Sequence, residues 1–191
     1  MSTVPAAPGQ ARAWDLASSV PDPSTGSGQA RAWDLASSVL DPELPVLTLA
    51  DLGVLREVAV DDHGRVEVTI TPTYSGCPAM AAMRVDLVRT LRAGGWPDVV
   101  VRTSLHPAWS TDWISDHGRA VLRRHGISPP GPRDAQEGPV PLRLLPVRRA
   151  VACPRCESVA VELVSEFGPT ACTAVYRCTA CLEPFQHVKE I

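Results

Sequence analysis

Cys153-Pro-Arg-Cys156 and Cys178-Thr-Ala-Cys181 decide how the C-terminal part of this 191-residue chain is read. Two C-x2-C pairs are the spacing with which four thiolates surround one tetrahedral metal ion. The 21 residues between the pairs hold two strand-like runs, Val159–Ser165 and Ala171–Arg177, joined by Phe167-Gly-Pro-Thr170. A hairpin therefore connects the knuckles. A segment of about 45 residues buries too little apolar surface to fold on its core alone, whereas a structural zinc contributes on the order of 10 kcal/mol. Zinc is the leading occupant, ahead of iron in a rubredoxin-like or iron-sulfur site, with disulfides or free thiols last. Cys172 fits a small buried hydrophobe in a strand at least as well as a metal ligand, and His187 fits a lone exposed histidine better than a substitute ligand.

Outward from the tail, residues 127–147 contain six prolines (Pro129, Pro130, Pro132, Pro139, Pro141 and Pro146), which suits a semi-extended linker. Residues 29–126 alternate between strand and helix patterns. Leu52–Val60, the turn Asp61-Asp-His-Gly64 and Arg65–Thr71 read as a hairpin. A helix is expected from Pro78 to Ala93, with Met80, Met83, Leu87 and Leu91 on one face and Gly94-Gly95 as its stop. A strand over Asp98–Ser104 and a helix over about Thr111–His125 follow. With a first helix that puts Trp33, Ala36 and Leu40 on one face, the order is αββαβα. The fold class is α+β, a small αββαβα domain followed by a β zinc ribbon. The N-terminus is duplicated: residues 9–23 and 28–42 differ only at Pro21 against Leu40, with Ser24-Thr-Gly-Ser-Gly28 between them. The second copy is read as the structural one and residues 1–28 as disordered or loosely docked.

Composition excludes several classes. Residues 147–191 carry five Lys/Arg against five Asp/Glu, and residues 29–126 ten against twelve, so neither part has the basic footprint of a nucleic-acid binder. No stretch approaches roughly 18 consecutive apolar residues, and the opening MSTVPAAPGQARAW lacks a basic segment followed by an apolar one. A cytoplasmic location is expected, where the six cysteines stay reduced.

A second chemical centre lies at Thr71-Pro-Thr-Tyr-Ser-Gly-Cys77-Pro78, where a strand passes into a helix. Free N–H groups and the positive helix end are expected to draw the Cys77 pKa well below about 8.5. A buried cysteine that only caps the helix is the competing reading. Asp41-Pro-Glu-Leu-Pro45 adds two carboxylates, Asp41 and Glu43, on a stiff turn. Taken alone, it reads as a helix-ending loop with solvated acids, and a functional role requires it to face Cys77. His106, His117 and His125 read as solvated.

Val39-Leu-Asp-Pro-Glu-Leu-Pro45 and Leu52-Gly-Val54, followed by Thr71–Pro78, resemble the MIP-type family of cytosolic iron-sulfur assembly factors over about residues 30–126. Ser165-Glu-Phe-Gly168, Thr170-Ala-Cys172, Tyr176-Arg-Cys178 and Cys181-Leu-Glu-Pro-Phe185 narrow the resemblance to the PaaD-type family of accessory proteins of bacterial phenylacetyl-CoA epoxidase systems. The resemblance implies an accessory, non-catalytic role in aerobic phenylacetate degradation. Its partners would be the di-iron oxygenase or the iron-sulfur flavin reductase. It implies a cluster- or metal-handling thiolate at Cys77 beside Asp41 and Glu43, which would hold iron or an iron-sulfur cluster transiently. It also implies a structural metal on Cys153, Cys156, Cys178 and Cys181. The expected domains are 1–28, 29–126, 127–147 and 148–191. Two other readings stay open: a redox subunit carrying iron in the four-cysteine site, and a zinc-ribbon adaptor that transfers no metal. A lone thiol at Cys77 also gives reason to suspect a homodimer, in which a second copy supplies further ligands.

Overall fold

A computed structural model describes residues 27–74, 76–131 and 151–190. The duplicated segment through residue 26, Ser75 and residues 132–147 of the expected linker lie outside the described residues.

The second copy of the repeat forms helix α1, Ser27–Ser37. Its buried face is Ala32 and Ala36, continued by Val39, while Trp33 packs at the edge of the core. The expected partner Leu40 is instead 50% exposed. The helix stops at Ser37 and Leu40 bridges to Thr48, so Val39 and Leu40 point to opposite sides of extended backbone. Near the helix start, Gln29 Oε1 accepts the Val60 N–H at 2.9 Å and its amide donates to the Val58 carbonyl. This occupies the open edge of the neighbouring strand.

Strands β1 (Leu55–Val60) and β2 (Val66–Ile70) pair antiparallel. At their turn Asp61 Oδ1 accepts N–H groups of His63 and Arg65, both at 2.9 Å, and Gly64 takes φ +77°. Val66, Val68 and Ile70 alternate with half-buried Glu67 and Thr69, so one face of β2 lies in the core. Helix α2, Met80–Ala93, lays Met83, Leu87 and Leu91 on that core. It begins two residues later than the expected Pro78, because Cys77 N–H and Met80 N–H bond three residues back and the four-residue spacing starts with Met83 to Ala79. Strand β3, Val99–Thr103, returns parallel to β2, giving a three-stranded sheet in the order β1-β2-β3.

The expected helix Thr111–His125 is broken in two. A 3-10 turn at Thr111–Trp113 is followed by helix α3, Asp116–Arg124. The break is at Ser115, whose backbone is extended and whose hydroxyl oxygen caps α3 by accepting the Gly118 N–H at 2.9 Å while the hydroxyl donates to Asp51 Oδ1 at 2.6 Å.

The expected linker starts as structure. Ile127–Ser128 form strand β4, parallel to the last strand of the ribbon. The ribbon adds β5 (Val161–Ser165), β6 (Thr173–Cys178) and β7 (Pro184–Val188), in the sheet order β4-β7-β6-β5. This pairing docks the ribbon on the first domain and buries His187, only 2% exposed, against Ser128, whose O and Oγ lie 3.2 Å from His187 Nδ1. The exposed histidine read from sequence is therefore a junction residue. The larger core contains Cys172 and Val188 of the ribbon, while Val151, Cys153, Cys178 and Phe185 form a separate small core. No helix among the described residues is long and apolar enough to cross a membrane.

Candidate functional site

The two knuckles of the ribbon are built alike. Cys153 N–H donates to the Ser158 carbonyl and Cys178 N–H to the Glu183 carbonyl, each at 2.9 Å. Immediately after the second cysteine of each pair, Glu157 and Leu182 take left-handed φ values of 60° and 64°. These turns aim four sulfurs inward, all within 4.8 Å of one another. Cys153 and Cys181 are 3.7 Å apart and Cys156 and Cys178 3.6 Å. Two sulfurs held about 2.3 Å from one tetrahedral ion stand about 3.8 Å apart, so the donor set fits such an ion.

The electrostatics agree. The Cys181 N–H draws the Cys178 thiol down to about 6, against the opposing effect of burial. The Ser158 N–H favours the Cys156 thiolate, yet the sulfurs of Cys181, Cys178 and Cys153 push its thiol up to about 12. Four thiolates at these distances require a cation. The four-cysteine cluster is able to bind metal.

The second site lies where the two domains meet. Asp41, Glu43 and Leu44 come from the turn after α1, Leu52 from the approach to β1, Thr73 and Cys77 from the loop between β2 and α2, and Met83 from α2. Trp109 closes the side, and Cys172, Val188 and Lys189 arrive from the ribbon. About 10 Å³ of free volume remains in the cleft. The turn after α1 therefore does face Cys77. Asp41, 3% exposed, accepts the N–H groups of Glu43 (2.8 Å) and Leu44 (2.7 Å) on one oxygen, so it shapes the turn that carries Glu43. Trp109 Nε1 donates to the Leu52 carbonyl at 3.0 Å and fixes the opposite wall. Next to it Gly53 is required: its φ is +72° and a Cβ there would lie 2.6 Å from the Trp113 Cβ and carbonyl oxygen.

Cys77 is 9% exposed, and its expected low pKa is reversed. Burial raises it most and the charges of Glu43 and Asp41 add to that, outweighing the N–H groups of Ala79 and Met80. Burial likewise raises Asp41 and Glu43, with Asp41's charge adding to the rise at Glu43. All three groups therefore hold their protons more tightly than free side chains do. Carboxylate charge that opposes a bare thiolate would favour a cation in the same place.

Sequence reasoning missed the ribbon's share of this site. Cys172 Sγ lies 3.8 Å from Glu43 Oε2, across 129 residues of chain, and no local pattern announces such a meeting. His117 is exposed, as expected, though its Nδ1 lies 3.1 Å from Asp51 Oδ1.

An assembly-type αββαβα domain with a four-thiol ribbon docked on it defines the class: an iron-sulfur assembly domain joined to a zinc-ribbon domain. Residues 29–102 match the family model "Iron-sulfur cluster assembly protein" and residues 137–189 the "PaaD zinc beta ribbon domain". Over 176 residues the chain is 44% identical to an Escherichia coli K12 protein provisionally named as the D component of 1,2-phenylacetyl-CoA epoxidase, covering 92% of this chain and 90% of that one. The chain belongs to this PaaD family. It is also 35% identical over 78 residues to the Fe-S protein maturation auxiliary factor SufT of Staphylococcus aureus, covering 40% of this chain and 88% of that one. A domain of unknown function from Bacillus anthracis aligns at 23% identity and a TM-score of 0.47, over 50% of this chain and 92% of that one.

Proposed function

We propose that this protein is an accessory maturation factor of a bacterial phenylacetyl-CoA epoxidase. On this reading it assists iron or iron-sulfur assembly in the oxygenase or reductase component through Cys77, and the ribbon cysteines hold a structural zinc. The observation that carries the reading is that Cys77 and Glu43 share one cleft at the domain junction. The likeness to a maturation factor and to an epoxidase component supports it from outside the structure. Zinc in the ribbon would tie the two knuckles together and perform no chemistry on cargo.

In the cleft, Cys77 supplies a soft donor and Glu43 a hard one. Asp41 holds Glu43 in place through the turn. The thiol gives up its proton only as a cation arrives and takes it back as the cation leaves, which suits transient holding better than permanent residence. The assembly domain is taken as 29–126 and the ribbon as 148–191.

The test is complementation. In a strain lacking this chain and supplied with Cys77→Ser, the variant accumulates and keeps its ribbon metal. The client, oxygenase or reductase, is low in iron and epoxidase activity falls to the level of the deletion strain. Full epoxidase activity with Cys77→Ser overturns the proposal.

A further inference from the structure

Cys172 sits in the ribbon by sequence and in the first domain by packing. It is 7% exposed and belongs to the core that holds Cys77, apart from the small core of Cys153 and Cys178. Its sulfur is not surrounded only by hydrocarbon: Thr170 Oγ1 is 3.2 Å away and Glu43 Oε2 3.8 Å. A sulfur about 2.3 Å and a carboxylate oxygen about 2.1 Å from the same tetrahedral ion stand about 3.6 Å apart, so Cys172 and Glu43 are already close to the spacing of two ligands of one ion. Cys77 lines the same cleft. Its sulfur, that of Cys172 and the Glu43 carboxylate do not all lie within the 4.8 Å of one another that the ribbon sulfurs keep, so Cys77 closes on the ion as it binds. The 10 Å³ left in the closed cleft is room for about one water molecule, which suits a single ion while the ribbon is docked.

We propose that Cys172 is the second thiol donor of the Cys77 cleft, so that Cys77, Cys172 and Glu43 form a site for one borderline-soft divalent ion such as iron(II), complete only when the ribbon is docked. The inference rests on the reading of Cys77 as a metal-handling thiol and names the form of its cargo. Two thiols and a carboxylate select a borderline-soft ion over magnesium or calcium. Each thiol releases one proton on binding, and the ion takes their place. Because Lys189 N–H bonds the Cys172 carbonyl at 2.9 Å and Val188 packs beside it, lifting β7 would withdraw the second thiol and open the cleft to an acceptor.

The test uses the full chain, loaded anaerobically with one equivalent of zinc to fill the ribbon and then titrated with cobalt(II) alone. Wild type, Cys77→Ser, Cys172→Ser and Cys172→Ala are compared by metal content and by thiolate-to-cobalt absorption, with zinc content and circular dichroism reporting the fold. Wild type is expected to take a second ion with thiolate absorption. Both Cys172 variants should bind it at least about tenfold more weakly with a diminished band, and Cys77→Ser should lose the band most fully. Wild-type binding in both Cys172 variants, with loss only in Cys77→Ser, overturns the two-thiol site and leaves the proposed function standing. A wild type that takes no second ion also overturns it, and the complementation experiment then judges the function separately, because its readout is the client's iron.

Discussion

Replacing Asp41 by alanine and by asparagine separates the two roles a buried carboxylate beside a metal-handling thiol could have. One Asp41 oxygen accepts the N–H groups of Glu43 and Leu44, the second of these bonds being fully buried. Alanine leaves both donors without that acceptor. At about 1–3 kcal/mol for a buried unsatisfied group, and less for the partly exposed Glu43 N–H, the expected cost is about 2–4 kcal/mol. Asparagine keeps the acceptor oxygen and removes the charge, so it should fall within about 1 kcal/mol of wild type at neutral pH. The charge itself has a sign that can be checked. Burial raises the Asp41 pKa above its ordinary 3.8, although the two N–H donors pull it down. A carboxyl with a raised folded pKa holds its proton more tightly folded than unfolded. Wild-type stability therefore falls as pH climbs from about 3.8 through the folded value and levels off above it, and Asp41→Asn lacks that contribution. Urea unfolding of the metal-loaded protein, followed across that pH range, measures both effects. Equal destabilisation by alanine and asparagine would refute the reasoning, because the charge and not the acceptor geometry would then hold the turn.

Three further outcomes are expected. Gly53→Ala should cost about 2–4 kcal/mol in urea unfolding, since it adds a clash with Trp113 at 2.6 Å to a left-handed backbone. Leu182→Gly should raise the thermal midpoint of the metal-loaded protein slightly, because it relieves a left-handed φ of 64° at an exposed position, worth about 1–2 kcal/mol, against about 0.4–1 kcal/mol of added unfolded-state entropy. Stripping the ribbon metal with a strong chelator should unfold β5 to β7 and, with them, expose Cys77 to thiol reagents, which a thiol-counting assay reads directly.

What is legible in the sequence is what local pattern encodes. The hairpin at Asp61–Gly64, the Met83-Leu87-Leu91 face of α2 and the four ribbon cysteines follow from period, turn chemistry and spacing within short windows. The features that escape depend on partners far along the chain. The break at Ser115 needs Asp51, 64 residues away, and the burial of His187 needs Ser128, 59 residues away. Strand β4 reads as linker because two residues ahead of a proline run carry no period of their own, and only β7 gives them a ladder. The Cys77 pKa departs from expectation for the same reason: the helix start is local, while the burial and the carboxylates that outweigh it come from other segments. In the candidate site, Cys77, Asp41 and Glu43 stand out by their motifs, and the structure adds Cys172, which no window of sequence connects to them.

The most direct test of two metal sites with separate tasks is the zinc, iron and acid-labile sulfide content of anaerobically purified wild type and Cys77→Ser, before and after incubation with iron(II). The account predicts one zinc per chain in both proteins, and iron without sulfide taken up by wild type alone. Iron in place of zinc in the ribbon, or iron uptake that does not depend on Cys77, would contradict it.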